Sequence, residues 1–139
     1  MWTREASAAV LALAVAGMAQ NAAAQAGDPL YACLSDQDTR VVDIGATVCD
    51  AAPTATLTAR MEEDNLQLRE GAFVTEVANG GLAQTAGLAP GDVIYRVGGV
   101  DVGDTVITAA RLSLIAADTD TVVNFLRRGR PYRVKLRRP

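Results

Sequence analysis

The stretch Gly71–Val102, GAFVTEVANGGLAQTAGLAPGDVIYRVGGVDV, constrains the fold of this chain more than any other segment. It opens as an alternating strand, with Phe73, Thr75 and Val77 on one face and Val74 and Glu76 on the other. Asn79-Gly80-Gly81 reverses the chain, because Asn and Gly reach positive φ at little cost. Leu82–Ala86 is long enough for one short helix of small residues, and Gly87 is placed to end it in the left-handed region. Pro90-Gly91-Asp92 then turns the chain into a second strand, Val93–Val97, and Gly98-Gly99 forms a hairpin turn back to Val100.

This punctuation resembles the bacterial PDZ domain, whose run reads roughly G-(small)-Φ-V-x-x-V-x-x-x-S-P-A-x-x-A-G-L-x-x-G-D-x-I-x-x-V-N-G, where Φ is apolar. The matching residues are Gly71, Val74, Val77, Ala83, Ala86, Gly87, Leu88, Gly91, Asp92, Ile94, Val97 and Gly99. Gly81-Leu82 stands where Ser-Pro usually opens the short helix, and Gly98 stands where the last turn usually has Asn. The resemblance implies a mainly β fold with two helices: a partly open β-barrel or sandwich capped by a short and a longer helix. The longer helix is expected over Thr105–Ala117, N-capped by Asp104. The end of the chain, Thr121–Leu136, reads as a hairpin with Tyr132, Val134 and Leu136 inward and Arg133, Lys135 and Arg137 outward. Arg127 and Gly129 match the L-R-x-G turn of HtrA-type PDZ domains.

The N-terminus reads as an export signal. Arg4 precedes an apolar run from Ala6 to Ala19, and Ala24-Gln25-Ala26 is an A-x-A cleavage pattern. The run is short for a bilayer span, which needs about 20 residues; a retained anchor is the alternative. Residues 1–26 are therefore expected to be a signal peptide cleaved near Ala26, leaving a periplasmic chain of about 113 residues. That length suits one domain with a small extension. The expected division is 27–53, a small disulfide-stapled hairpin segment, and 54–139, the PDZ domain.

Cys33 and Cys49 are the only cysteines, and in an oxidising compartment two cysteines read as one disulfide. Leu30–Leu34 and Arg40–Ile44 read as two short strands around Asp36-Gln37-Asp38-Thr39, so the bridge would staple a hairpin. Redox catalysis favours a Cys-x-x-Cys spacing that the chain lacks.

Residue inventory argues against an enzyme. The chain has no histidine, so it cannot build a Ser-His-Asp or Cys-His site. Beyond the leader its only serines are Ser35 and Ser113 and its only lysine is Lys135, which lies in an alternating basic strand. Two cysteines fall short of a four-ligand zinc site, and Glu62-Glu63-Asp64 lacks calcium-loop spacing. No metal site or cofactor is expected. Charge is segregated, with an acidic N-terminal third and a basic end from Arg127 to Arg138. The basic strand reads as a solvated face, or as a weak contact for anionic lipid or an acidic partner. It carries no nucleic-acid recognition motif.

Function is expected at a sheet edge. PDZ domains add an extended peptide as a strand beside a helix, and hold a terminal carboxylate with main-chain N–H groups on a Φ-G-Φ loop. The resemblance places that loop and the groove strand at Ala55–Met61, so the expected peptide-binding residues are Leu57, Thr58, Ala59, Arg60 and Met61. Thr58 stands where the loop glycine is usual. The helix wall is expected at Val106, Ala109, Ala110 and Ser113. The implied role is an exported adaptor for an extended or C-terminal peptide of an envelope protein, or for a separate protease. The alternative is a structural module of an envelope or secretion complex with a self-occupied or degenerate groove.

Overall fold

A computed structural model describes residues 27–139; the expected signal peptide lies outside the described residues. Among the described residues, eight strands form one antiparallel sheet. The strands are β1 (Tyr31–Cys33), β2 (Arg40–Val42), β3 (Ala46–Pro53), β4 (Ala72–Val77), β5 (Val93–Val97), β6 (Val100–Asp101), β7 (Asp120–Arg127) and β8 (Arg130–Arg137). Their order is β1-β3-β4-β5-β7-β8, with β2 also paired to β3 and β6 to β5. Three α-helices accompany them among the described residues: α1 (Ala55–Asp64), α2 (Leu82–Ala86) and α3 (Thr105–Ser113).

The segment from Gly71 to Val102 folds as its pattern predicts. Gly81 precedes α2, and Gly87 ends it at φ +109°, with its N–H donating to the carbonyls of Ala83 and Gln84. Gly98 and Gly99 both take positive φ in the β5–β6 turn, the pairing that lets a two-residue hairpin follow the sheet twist. Gly71 answers to a close approach: a Cβ there would fall on the carbonyl oxygen of Ile94 across the sheet. Asp104 caps α3 by accepting from the N–H of Ile107 at 2.8 Å, but the helix stops at Ser113 rather than Ala117. Arg138 explains the early stop. Its guanidinium donates to the carbonyls of Leu112 and Ile115, satisfying groups that another helical turn would have used.

The third helix, α1, was not expected. Thr54 caps it, accepting from the N–H of Leu57, and Asn65 closes it in the left-handed region. Leu57 and Met61 lie four residues apart and face inward together, while Arg60 pairs with Asp64 on the outer side at 2.7 Å. The sheet is consequently covered on both faces. One cluster joins Val48, Val74, Ile94, Val123, Phe125 and Leu136 to Leu112 and Ile115. The other joins Tyr31, Leu57, Leu66, Val93, Tyr95 and Leu126.

The N-terminal segment also departs from expectation. Cys33 and Cys49 are bonded, with Cα atoms 5.4 Å apart. The two strands they were expected to staple, however, do not pair with each other. β1 and β2 both pair antiparallel with β3, Cys33 opposite Ala51 and Arg40 opposite Val48. They form one interrupted strand along a single edge of β3, whose other edge is taken by β4. Residues 35–39 bulge out between them as a 3-10 turn with no buried residue, begun by Ser35. β3 carries this segment into the main sheet, and Val42, Ile44, Ala46 and Val48 lie in the larger core. The first strands are thus built into the same sheet as the rest.

Candidate functional site

The expected groove strand at Ala55–Met61 is a correction. Leu57, Thr58, Ala59, Arg60 and Met61 all lie on α1, where backbone N–H and C=O groups are consumed within the helix and cannot accept an added strand. Thr58 donates its hydroxyl back to the carbonyl of Thr54 instead of shaping an anion loop. Leu57 is buried under the sheet. The signal for this helix lies in Thr54 as cap and in the Leu57/Met61 spacing.

The strands that pack against the long helix are β2, β3 and β5, and β3 is the longest of them. Its N–H and C=O groups pair with β4 on one side and with β1 and β2 on the other, and β2 also packs against α3. β3 and α3 are tied directly, since Asp50 on β3 accepts from the backbone N–H of Thr105 at the start of α3, at 2.8 Å. Immediately before β3 runs Ile44-Gly45-Ala46, an apolar-Gly-apolar turn with Gly45 at φ +77°. A side chain at Gly45 would be strained by that φ and would press on the backbone of Gly81 at 3.3 Å. The N–H groups of Ile44 and Gly45 converge on a single oxygen, the carbonyl of Val42, at 2.8 and 3.3 Å. Both bonds close the turn by which β2 passes into β3. The signal that could have found it was Ile44-Gly45-Ala46 ahead of the alternating Thr47-Val48-Cys49.

The residues expected for the helix wall divide between two faces of α3. Val106, Ala110 and Ser113 are exposed on the outer face of α3, Val106 at 59%. Of the expected four, only Ala109 turns inward, packing on the core. The side of α3 toward the sheet is Thr105, Thr108 and Leu112, all buried. Period alone could not choose the inner face, because apolar residues run nearly all round this helix.

The family model for the PDZ domain matches residues 56–129, more than half of the chain. The chain belongs to the PDZ family. Solved structures agree on the fold. The PDZ domain of HtrA3 bound to a phage-derived ligand, FGRWV, superposes with a TM-score of 0.54 at 18% identity, covering 68% of this chain and 83% of that one. The HtrA-type protease AlgW with a decapeptide gives a TM-score of 0.54 at 23% identity over 70% of this chain, but only 29% of the protease. No curated protein sequence matches this one. The PDZ match begins inside α1, so β3 and the Ile44-Gly45-Ala46 turn precede it and are placed by the structure alone.

The basic end of the PDZ domain is partly committed to structure. Arg127 pairs with the buried Asp92 at 2.8 Å, and that hydrogen bond holds its guanidinium pKa above the ordinary value. Arg137 pairs with Asp120, and Arg138 with Asp43. Arg133 and Lys135 stand exposed on β8, on the face away from Leu136. Among the described residues no group of three or more potential metal ligands comes together, and no helix is long and apolar enough to cross a membrane.

Proposed function

We propose that this PDZ domain is an exported peptide- or protein-binding adaptor whose ligand adds as a strand to the α3-facing edge of β3. The observation that carries the reading is that the β3 edge beside α3 is covered only by the three-residue strand β2, next to the N–H pair of Ile44 and Gly45; a peptide in its place would gain strand hydrogen bonds, a side-chain wall and a donor pair. The Cys33–Cys49 disulfide supports an oxidising, periplasmic setting, as does the leader-like sequence before Gly27. The absence of histidine from the chain supports a role without catalysis of its own. The partner would be an extended or C-terminal segment of an envelope protein, or a separate protease to which the domain delivers one.

A second reading is favoured by one observation: β1 and β2 already lie along the β3 edge. In that reading the groove is filled for good, and the domain is an assembly module that meets its partner through the exposed basic strand β8. Titration of the full chain with a peptide library, read by backbone amide shifts, separates the two. Shifts clustered on Ala46–Asp50 and on α3 support strand addition. Shifts confined to Arg130–Arg137 would transfer the function to β8.

A further inference from the structure

A strand already lies where the ligand of the proposed site would be added. Arg40–Val42 is paired along β3 and packs against α3, filling the cleft between them. It is a minimal strand, three residues long, cut off from β1 by the solvated turn at 36–38. Only one of its side chains anchors it. Val42 is 3% exposed and lies in the core, whereas Val41 is 76% exposed and Arg40 also points to solvent. The carbonyl of Val42 fills the N–H pair of Ile44 and Gly45, the place an incoming acceptor would take.

Two fastenings bear on this short strand, one through β1 and the turn at 36–38 and one at the turn into β3. On the N-terminal side the disulfide joins Cys33 to Cys49, in the middle of β3. On the turn side Arg138 donates to the carbonyl and the carboxylate of Asp43, at 2.9 and 3.1 Å, while its other bonds fix it to the end of α3. A cation there also suits the negative end of the helix. A three-residue strand with one buried side chain has little hold of its own, so the fastenings decide whether the edge is covered.

We propose that Arg40–Val42 is a built-in, displaceable occupant of the peptide edge, latched by Cys33–Cys49, and that reduction of this disulfide opens the edge to an extended segment with a β-branched apolar residue in the place of Val42. This rests on the peptide-binding reading above. The reductant is a dithiol. One thiolate attacks a disulfide sulfur to form a mixed disulfide, and its second thiol displaces the protein. The dithiol is oxidised by two electrons to its own disulfide, and Cys33 and Cys49 leave as two thiols carrying its two protons. Reduction removes the covalent closure, at a separation of 16 residues, of the loop that contains β2. The oxygen that then meets Ile44 and Gly45 is a main-chain carbonyl of an internal segment or a terminal carboxylate.

The test uses the full chain, oxidised and after dithiothreitol, with a fluorescein-labelled DTRVV peptide, the sequence of residues 38–42, as free acid and as amide. Amide hydrogen exchange is followed in parallel. Reduction is expected to raise exchange in 31–34 and 40–50 at least tenfold while β5 and β7 stay protected, and to tighten DTRVV binding at least tenfold. Tighter binding of the free acid than of the amide assigns the N–H pair to a terminal carboxylate; equal binding assigns it to an internal carbonyl. Exchange in 40–50 that ignores reduction, or equal DTRVV affinity in both redox states, would overturn the latch. Release in exchange with no binding of either peptide would overturn the peptide-binding reading and leave the latch standing. Should reduction also unprotect β5 and β7, Arg138→Gln in the oxidised chain loosens the other fastening. It is expected to raise exchange at 42–46, and unchanged exchange there overturns the proposal.

Discussion

Asp92 shows how much one signature residue carries. It is buried, yet every part of its carboxylate is used: Oδ2 accepts from the N–H of Ala89 and from Arg127, each at 2.8 Å, and Oδ1 accepts from Arg127 Nε at 2.9 Å. Arg127 also donates to the carbonyl of Gly87 and lies over the Phe125 ring, 5.1 Å from its centre. The pair therefore fastens the turn after α2 to the end of β7, two points far apart in sequence. Asp92→Asn leaves one acceptor oxygen and turns an amide donor toward the guanidinium. Because Arg127 is partly exposed, the expected cost is about 2 kcal/mol rather than the full penalty of a broken buried pair. Urea denaturation measures it, and a loss under about 0.5 kcal/mol, the range of a neutral surface change, would show the bond to be replaceable.

At the scale of elements, α1 is the consequential one. It turns what looked like a groove strand into the lid of the second apolar cluster, with Leu57 buried beneath it. Thr54 serves this helix twice, accepting from Leu57 N–H at 3.4 Å and donating to the carbonyl of Pro29 at 2.7 Å. Thr54→Ala is expected to cost about 1 kcal/mol, the usual value of a lost N-cap, and to raise hydrogen exchange in α1 before it does so in β5. Thr58→Gly tests the correction itself. In an anion loop it would tighten binding to peptides with a free carboxylate; on a helix it should lower stability by roughly 0.5 kcal/mol and leave binding unchanged. Peptide affinity and denaturation midpoint, measured on one variant, separate the two outcomes.

On the scale of the whole molecule, the N-terminal segment is tied to the second cluster by Tyr31. Its hydroxyl donates to the carbonyl of Gln67 at 2.8 Å and accepts from the N–H of Arg69 at 3.1 Å. Burial raises its pKa above the ordinary value; the Arg69 N–H and charge oppose the rise without cancelling it. The folded state thus holds the phenolic proton more tightly than the unfolded chain does. The stabilisation is fully present below the unfolded pKa of about 10 and is lost as pH climbs through the folded value. Melting temperature should fall across that alkaline window in the parent chain. Tyr31→Phe should start lower, having lost both bonds, but decline less steeply. Parallel curves would assign the alkaline loss to other groups.

Local backbone chemistry was legible in the sequence because it is decided within a few residues. Gly87, Gly98 and Gly99 sit where positive φ is needed, Asp104 caps α3, and the two cysteines form a bond in the structure. The PDZ family itself was readable from such punctuation between Gly71 and Val102. Pairing was not. Nothing in Tyr31–Cys33 or Arg40–Val42 says that both lie along β3 rather than against each other, because strand partners are chosen by which apolar faces the whole sheet must cover. The inner face of α3 was hidden for the same reason: its apolar residues run nearly all round, and only the packing of β3 and β5 beneath it decides that Thr108 and Leu112 go in while Ala110 stays out. The occupied edge of β3 is likewise a tertiary fact, produced when a short N-terminal strand, a disulfide and Arg138 meet beside α3.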